Sequence, residues 1–188
     1  MFGRKKLVSC DIQPRYASGV PFKLEEFVEY LNGFDDILYL FNDKNIGVPD
    51  TAEDVKKMLA DAGASNELLE RIKFRPKVYF YFRDVLDSPT ASYEECLKLL
   101  KMIILRGVEN AAELSIEDLK ICLSCSQMIS AIKAGTRHFY YDPSLATDLV
   151  NYRDCIEVGG FENQCNIEIT LYLDALGINY EKNYKFIF

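Results

Sequence analysis

The sequence has no apolar run that approaches the length needed to span a lipid bilayer. Its first residues, M-F-G-R-K-K-L-V-S-C-D, include a basic trio but turn acidic too soon for a secretory signal peptide. These absences argue against a membrane-spanning protein and against a secreted one. We therefore expect a cytoplasmic protein with no membrane partner.

A basic strip is also missing. Lysine and arginine together number 22 against 29 aspartate and glutamate residues, and the formal net charge at pH 7 is −7. A chain of that charge repels a phosphate backbone, so we expect no nucleic-acid partner. A small-molecule substrate fits this composition better.

Histidine is almost absent, and cysteine follows no dense spacing pattern. The one histidine is His138, and the six cysteines are spread from Cys10 to Cys165. In a reducing compartment such cysteines are expected to be thiols, so disulfides are not predicted. Cys122 and Cys125 have the spacing of half a zinc site, but no second pair completes it, and we interpret both as core residues of one helix.

Hydrophobic periodicity predicts alternating strands and helices. The 188 residues, 49% of them hydrophobic, are enough for one substantial core, and we expect a single domain over residues 1–188. Strands separated by helices favour a three-layer α/β architecture with a mainly parallel sheet. The predicted strands are Lys6–Asp11, Ile37–Phe41, Val78–Phe82, Cys155–Val158 and one within Tyr180–Phe188. The predicted helices are Lys23–Asn32, Thr51–Ala62, Asn66–Ile72, Tyr93–Arg106, Ile116–Lys133, Ser144–Asn151 and Gln164–Leu176.

A glycine pair followed by a cysteine lies between the fourth predicted strand and the last predicted helix. Gly159-Gly160 ends the strand, and Cys165 lies in the first turn of the helix. Backbone N–H groups there have no partner within the helix, and the aligned peptide dipoles favour a negative charge. Such a position stabilises a thiolate, the reactive form of cysteine, although cysteine is also among the most often buried residues.

Two further residues can join Cys165 at one edge of the sheet. Asp11 ends the first predicted strand, and Lys77 stands at the start of the third or in the loop before it. Ligands of parallel α/β sheets bind beyond the carboxyl ends of the strands, where the strand order reverses. A carboxylate that takes the thiol proton, an ammonium that favours the thiolate and N–H groups that bind an oxyanion would support amide hydrolysis by a cysteine.

Three segments resemble motifs of the isochorismatase-like cysteine hydrolases. D-I-Q-P-R-Y at 11–16 is similar to the D-x-Q-x-x-F segment that ends that family's first strand, and K-V-Y-F-Y-F-R-D-V-L-D at 77–87 is similar to its K-x-x-x-S-A-F-x-x-T-x-L segment. G-G-F-E-N-Q-C at 159–165 resembles its G-V-x-T-D-x-C turn. The order of the motifs along the chain is also that of the family. The G-G-x-x-N-x-C and F-R-x-x-x-D runs are similar, too, to those of uncharacterised phage-encoded proteins.

The resemblance implies a metal-independent hydrolase that acts on a small amide-type molecule. In that family the residues matching Asp11, Lys77 and Cys165 are the catalytic aspartate, the catalytic lysine and the nucleophile. The resemblance therefore implies that Asp11 is the base and that Lys77 is the cation of the thiolate. The oxyanion site is assigned to Gly160, Gln164 and Cys165, and the candidates for the pocket wall are Gln13, Tyr16, Phe82, Arg83 and Glu162.

The chain departs from the family in three places. Its interval between Lys77 and Cys165 is long, so residues 93–135 are interpreted as an inserted helical pair. Gly160 stands where a branched residue usually forms a cis peptide at the oxyanion hole. With only His138 available, the Asp-and-histidine metal site of the nicotinamide-cleaving members is missing. We therefore expect no metal, no cofactor and a substrate other than nicotinamide.

Two other functions fit the same residues. The acids Asp11, Asp84, Asp87, Glu162 and Glu168 could bind Mg²⁺ or Mn²⁺ as in PIN-like nucleases, which also place acids at the ends of parallel strands. Asp87 and Glu162 also have the simpler roles of turn or cap residues. A non-catalytic binding protein on the same fold is the second alternative. Aromatic residues left on an outer face would then favour a protein interface, and a homo-oligomer is one form of it.

Overall fold

The computed structural model describes residues 4–42, 50–77 and 91–188, without the side chains of residues 163 and 164. Contacts between residues divide the chain into two compact units. The first comprises 1–78, 151–167 and 179–188, and the second comprises 79–150 and 168–178, each as far as it is described. This division into compact units does not test the prediction of a single domain, which stays a prediction.

Five parallel strands form the sheet of the first unit among the described residues. They are β1 (Lys6–Cys10), β2 (Asp36–Phe41), β3 (Ile72–Pro76), β4 (Cys155–Gly159) and β5 (Tyr180–Lys182). Their order is β3-β2-β1-β4-β5, and every neighbouring pair is parallel. Cys10 of β1 lies opposite Leu40 of β2 on one side and opposite Gly159 of β4 on the other. The central strands are buried on both faces, which explains their continuous apolar runs.

Helices flank this sheet, and local sequence signals set where they begin. Those of the first unit are α1 (Pro14–Ala17), α2 (Leu24–Leu31), α3 (Ala52–Asp61) and α4 (Asn66–Glu70). Pro14, predicted as a helix breaker, instead begins α1, where its missing N–H is not needed. Thr51 caps α3, because its hydroxyl accepts from the Asp54 N–H while the Asp54 carboxylate accepts from the Thr51 N–H.

The predicted α/β class with a mainly parallel sheet is confirmed.

The structure has a strand directly before Lys77 that the sequence did not predict. The sequence predicts a helix up to Ile72 and a strand over Val78–Phe82, whereas β3 begins at Ile72 and ends at Pro76. The segment Val78–Phe82 lies outside the described residues. In I-K-F-R-P apolar and charged residues alternate, and β3 is the last strand on its side of the described sheet, where charges and proline are tolerated. Lys77 therefore follows the carboxyl end of a strand, β3.

Aromatic side chains fill much of the core of the first unit. The Phe27 ring centroid lies 5.3 Å from that of Phe186 and 6.4 Å from that of Tyr39, in tilted or edge-on geometries. Phe22 meets Phe186 edge-on at 5.1 Å. Burial of each such ring contributes about 1.5–3 kcal/mol. Because Phe186 lies in the 3-10 turn Tyr184–Phe186, this contact packs the segment after β5 against α2.

Helices make up most of the second unit. They are α5 (Tyr93–Arg106), α6 (Ile116–Cys122), α7 (Ser126–Lys133), α8 (Pro143–Val150) and all but the first residue of α9 (Ile167–Ala175). The predicted bounds of α5 are confirmed, and its ends are explained by the Ser92 capping box and the left-handed Gly107. Within the described ranges, no helix is both long and apolar enough to cross a membrane.

The predicted helix Ile116–Lys133 is in fact two helices, interrupted at residues 123–125. The N–H and the hydroxyl of Ser124 donate to Glu95 Oε1, at 2.8 and 2.7 Å. The interruption is thus stabilised by a residue of α5. The hydrophobic periodicity within residues 116–133 cannot reveal such a contact. It also corrects the interpretation of Cys122 and Cys125 as members of one helix, because Cys122 ends α6 and Cys125 precedes α7.

Glu95 should make the second unit sensitive to acid. Hydrogen bonds from Ser124 and Ser92 lower the pKa of Glu95 from 4.5 to about 2. Because its pKa is lower in the folded protein, its stabilisation is present above pH 4.5 and is lost as the pH falls towards 2. Glu95→Gln should lower the free energy of unfolding at pH 7 by about 1 kcal/mol and flatten this acid dependence. Urea unfolding between pH 2 and 7 measures both.

The matched control is Glu94→Gln, one residue earlier on the exposed face of α5. Its acid dependence should equal that of the wild type. Identical pH profiles for all three proteins would contradict the role assigned to Glu95.

Candidate active site

Asp11 has an unusual backbone conformation directly after β1. Its N–H donates to the Leu40 carbonyl at 2.9 Å, which continues the pairing with β2, and its φ of 52° lies in the left-handed region. Aspartate adopts this region more readily than most residues, at a cost of about 1–2 kcal/mol. The residue is 1% exposed, so the turn directs a carboxylate into the interior of the unit.

Lys77 reaches this carboxylate across the end of β2. Its N–H donates to the Phe41 carbonyl at 2.7 Å, and its Nζ lies 3.0 Å from Asp11 Oδ2. Both side chains are 1% exposed. Removing such charges from water costs several kcal/mol per ion, which attraction offsets only at close range and with further hydrogen bonds. The pair therefore places two opposite charges at defined positions beyond the carboxyl ends of β1 and β3.

Cys165 lies in a single π-helical turn, Glu162–Asn166, between the glycine pair and α9. The sequence predicts an α-helical first turn here, whereas the structure has a wider turn in which the Asn166 N–H donates to the Phe161 carbonyl at 3.1 Å. Single π turns are frequent at functional sites. The Cys165 carbonyl accepts from Lys77 Nζ at 3.4 Å, and the residue is partly exposed. Asp11, Lys77 and Cys165 thus lie together, with the contact of Cys165 made through its backbone.

Close backbone contacts require both glycines before this turn. Gly159 has a φ of 84°, and a Cβ there would lie 2.2 Å from the Cys10 carbonyl oxygen. Gly160 has a φ of 69°, and a Cβ there would lie 2.9 Å from the Asn166 nitrogen and 3.1 Å from the Cys165 Cβ. No cis peptide bond occurs in the described residues, so the peptides at Gly160 are trans.

The structure adds Cys10 to this group of residues. Its thiol is fully buried, lies 3.5 Å from Lys77 Nζ and donates to the Cys165 carbonyl at 3.4 Å. Cys10 is not among the site residues predicted from the sequence. The signal that could have found it is its place beside Asp11 at the end of a buried strand.

Two buried side chains support the segment after Asp11. The Tyr39 hydroxyl donates to the Ile12 carbonyl at 2.5 Å, and burial raises the pKa of Tyr39 well above its ordinary value, so the hydroxyl remains a donor. The Gln13 amide donates to the Asn42 carbonyl at 3.2 Å and to Asp50 Oδ2 at 2.6 Å, and it accepts from the Asn42 N–H at 2.7 Å. Gln13, a predicted pocket residue, thus links the segments after β1 and β2 in the interior.

Of the other predicted pocket and oxyanion residues, the structure describes only some. Tyr16 is half-buried in α1, and Glu162 is exposed at the start of the π turn. Phe82 and Arg83 lie outside the described residues, as does the side chain of Gln164. The Glu162 N–H donates to the Phe188 carbonyl at 2.7 Å. This N–H is therefore committed to the protein backbone.

The candidate residues lie where the strand order reverses. From β1 the chain adds β2 and β3 on one side of the sheet and β4 and β5 on the other. The crevice between the carboxyl ends of β1 and β4 is the usual ligand site of an open parallel sheet. Asp11 follows β1 and Cys165 follows β4. A buried carboxylate, a buried ammonium and the backbone of a cysteine residue therefore meet in this place.

Most of the remaining thiols are kept protonated. Burial raises the pKa of Cys96 and of Cys155 to about 12, and it also raises the pKa of Cys122. All six cysteines are free thiols. Cys125 is partly exposed, as Cys165 is, and is therefore the natural reference for its reactivity.

The structure gives no acidic cluster for the nuclease hypothesis in the part of the chain that it describes. No three histidine, cysteine, aspartate or glutamate side chains of that part are grouped so that they could hold a metal ion. Asp84 and Asp87 lie outside it. Asp11 is paired with Lys77, and Glu168 is buried in α9.

A cavity of about 540 Å³ lies at the opposite edge of the sheet. It is lined by residues at the amino ends of β1, β4 and β5 and near the end of α2, including Lys5, Tyr30, Asp154 and Glu181. Of its charged residues, Lys5, Asp154 and Glu181 are exposed and Lys6 is half-buried, whereas Asp11 and Lys77 are buried. We take the carboxyl edge as the candidate site, because buried ionisable groups and the strand reversal coincide there.

No protein-family model matches this chain. Among curated proteins, too, none matches it. The geometry of the site and the sequence motifs are therefore the evidence for a function.

Proposed function

We propose that the protein is a metal-independent cysteine hydrolase that acts on a small amide-type molecule, on a three-layer fold similar to that of the isochorismatase-like hydrolases. The observation that carries this proposal is the buried Asp11–Lys77 pair, whose ammonium also lies 3.4 Å from the Cys165 carbonyl. The order of these three residues along the chain matches the motif order of that family. Their position at the strand reversal supports the same conclusion.

In the proposed reaction, Cys165 Sγ attacks the amide carbon after its proton has passed to Asp11. Asp11 Oδ2 is paired with Lys77, whereas Oδ1 is buried and has no hydrogen-bond partner among the described residues, so Oδ1 accepts this proton. The Lys77 ammonium stabilises the thiolate, and backbone N–H groups at Gly160, Gln164 and Cys165 stabilise the oxyanion.

The remaining steps return the site to its starting state. Collapse of the tetrahedral adduct breaks the C–N bond, and the amine leaves with the proton held by Asp11. Water then attacks the thioester carbon while Asp11 takes a proton from it. Collapse of this adduct breaks the C–S bond, the acid product leaves, and the proton passes from Asp11 to the Cys165 thiolate, which restores the thiol. The negative charge of the chain supports a small molecule over a nucleic acid as the ligand. The cytoplasmic location and the homo-oligomer stay predictions.

A reactive ester and an alkylating reagent test the nucleophile without knowledge of the substrate. p-Nitrophenyl acetate should acetylate Cys165 of the native protein. Iodoacetamide at neutral pH should alkylate Cys165 about tenfold faster than Cys125. This is the difference expected when the thiolate fraction of one cysteine is about tenfold higher, because the thiolate is the reactive form. Peptide mapping by mass spectrometry measures both reactions, and the protection of Cys96 and Cys155 shows that the protein is folded.

The matched variant is Asp11→Asn/Lys77→Met, which removes both charges but keeps the side-chain shapes. Its Cys165 should be labelled at the rate of Cys125. Equal rates for the two cysteines in the wild type, or an unchanged Cys165 rate in the variant, would refute the assignment of Cys165. Cleavage of single-stranded nucleic acid with Mg²⁺ or Mn²⁺, abolished by Asp11→Asn, would favour the PIN-like nuclease instead.

A further inference from the structure

A second buried polar cluster adjoins the Cys165 turn. It consists of Glu157 on β4, Asn166 directly after Cys165, and Lys182 on β5. Glu157 and Asn166 are 0% exposed, and the Lys182 side chain is 16% exposed. The reaction proposed above assigns no role to these residues.

Asn166 uses both ends of its amide within this cluster. Its Nδ2 donates to Glu157 Oε1 and to the Gly159 carbonyl, both at 3.1 Å, and its Oδ1 accepts from Lys182 Nζ at 2.7 Å. Lys182 Nζ also lies 3.9 Å from Glu157 Oε2. An amide can donate to a carboxylate and a carbonyl while it accepts from an ammonium, whereas a carboxylate cannot donate and an ammonium cannot accept. The chemistry of residue 166 is therefore matched to Glu157, Gly159 and Lys182.

The peptide bond between Cys165 and Asn166 is anchored from several directions. The Cys165 carbonyl accepts from Lys77 Nζ and from Cys10 Sγ, each at 3.4 Å. The Asn166 N–H donates to the Phe161 carbonyl at 3.1 Å. With the Asn166 side chain bound as well, the peptide that carries the thiol has little rotational freedom.

Packing alone does not explain this cluster. Replacing a buried ion pair by apolar side chains of similar volume is often neutral or stabilising in proteins. Here the hydrogen bonds of a buried charge pair converge on the residue after the proposed nucleophile, which points to orientation as their role. We propose that Glu157, Asn166 and Lys182 are positioning residues that keep the Cys165 thiol in its reactive orientation. This inference rests on the proposed function, and the three residues act through the Cys165–Asn166 peptide.

Two substitutions at Asn166 test this role. Asn166→Asp keeps the acceptor for Lys182 but removes both donors and adds a carboxylate beside Glu157. Asn166→Leu removes the donors and the acceptor for Lys182 as well, without adding a charge, so it separates orientation from electrostatics. In both variants, iodoacetamide labelling of Cys165 at pH 7 should become about tenfold slower. The midpoint of the pH–rate profile should rise by about one pH unit in Asn166→Asp. Below the midpoint, a shift of that size lowers the thiolate fraction about tenfold.

A rescue and a control complete the experiment. Glu157→Gln/Asn166→Asp exchanges the amide and the carboxylate at unchanged net charge, and it should recover most of the lost labelling rate. Asn179→Asp makes the same chemical change beside another acid, because Asn179 Nδ2 donates to Asp154 Oδ1 at 3.3 Å at the exposed amino edge of β4 and β5. This variant should label Cys165 at the wild-type rate.

The outcomes distinguish the two proposals. Wild-type labelling in both Asn166 variants, or a rescue variant as slow as Asn166→Asp, would overturn the positioning role and leave Cys165 as the nucleophile. If Cys165 of the wild type is labelled no faster than Cys125, the proposed function fails and the positioning role fails with it. Should Asn166→Asp lose the protection of its buried cysteines and prove unfolded, Asn166→Leu decides the question.

Discussion

Gly159→Ala is expected to lower the free energy of unfolding by roughly 4 kcal/mol or more, a range that few single substitutions reach. The added Cβ would lie 2.2 Å from the Cys10 carbonyl oxygen and 2.9 Å from the Cys10 nitrogen. Both are backbone atoms of the neighbouring strand, because Cys10 and Gly159 are register partners. Relief of the overlap would require β1 and β4 to separate at the centre of the sheet. Urea unfolding at pH 7, followed by circular dichroism, measures the loss.

Gly107→Ala separates this overlap from the cost of the backbone conformation. Gly107 has a φ of 64°, and a Cβ there would meet nothing within 4 Å. Its substitution should cost about 1–2 kcal/mol, which is the penalty of the left-handed region alone. If Gly159→Ala lowers the free energy of unfolding no more than Gly107→Ala does, then β1 and β4 do not approach each other closely at Gly159.

Lys77→Met is expected to lower the free energy of unfolding by about 3–5 kcal/mol. The substitution keeps most of the side-chain volume but leaves the Asp11 carboxylate, 1% exposed, without its cation. An uncompensated buried charge is costly because the protein interior solvates it poorly. Urea unfolding of the variant at pH 7 measures the effect.

The double variant Asp11→Asn/Lys77→Met should recover most of this loss, since it leaves no buried charge at the site. A double-mutant cycle with both single variants gives the coupling between the two residues. The control is Lys56→Met, because Lys56 Nζ lies 3.1 Å from Glu53 Oε1 but the two side chains are 43% and 77% exposed. That substitution should cost less than about 1 kcal/mol. Equal effects of Lys77→Met and Lys56→Met would show that the Asp11–Lys77 pair is not buried in solution.

The positions of Asp11 and Cys165 could be predicted from the sequence because local patterns determine them. β1 and β4 are short apolar strands, and each is followed by residues with positive φ: Asp11 after β1, and the glycine pair at the end of β4. An apolar strand, a turn signal and a helix pattern are each visible within a few residues. The carboxyl ends of parallel strands then share one edge of the sheet.

The strand that positions Lys77 was harder to predict than Lys77 itself. β3 alternates charged and apolar residues at one side of the described sheet, so it has no continuous apolar run, whereas the aromatic segment after it has one. Hydrophobic periodicity therefore did not predict β3, and the strand that it predicted at Val78–Phe82 lies outside the described residues. The motif identifies Lys77, but the pattern of residues before it does not reveal the strand that positions it.

Other features depend on partners that local patterns cannot show. The interruption between α6 and α7 is stabilised by Glu95, 29 residues before Ser124. The amide of Asn166 is bound by Lys182, 16 residues later, and by Glu157 on the preceding strand. Periodicity describes which face of an element is buried, and it contains no information on which polar side chains meet across elements.

The separation of the two buried charges is set by the width of a single strand. The last two carbonyls of β2, those of Leu40 and Phe41, bind the N–H groups of Asp11 and Lys77. Exchanges among apolar residues in β2 change side-chain packing but not these two main-chain anchors. An insertion or deletion near its end would displace one anchor along the strand and turn the following side chains to the opposite face. Variants of this protein should therefore tolerate changes of residue type in β2 far better than changes of its length.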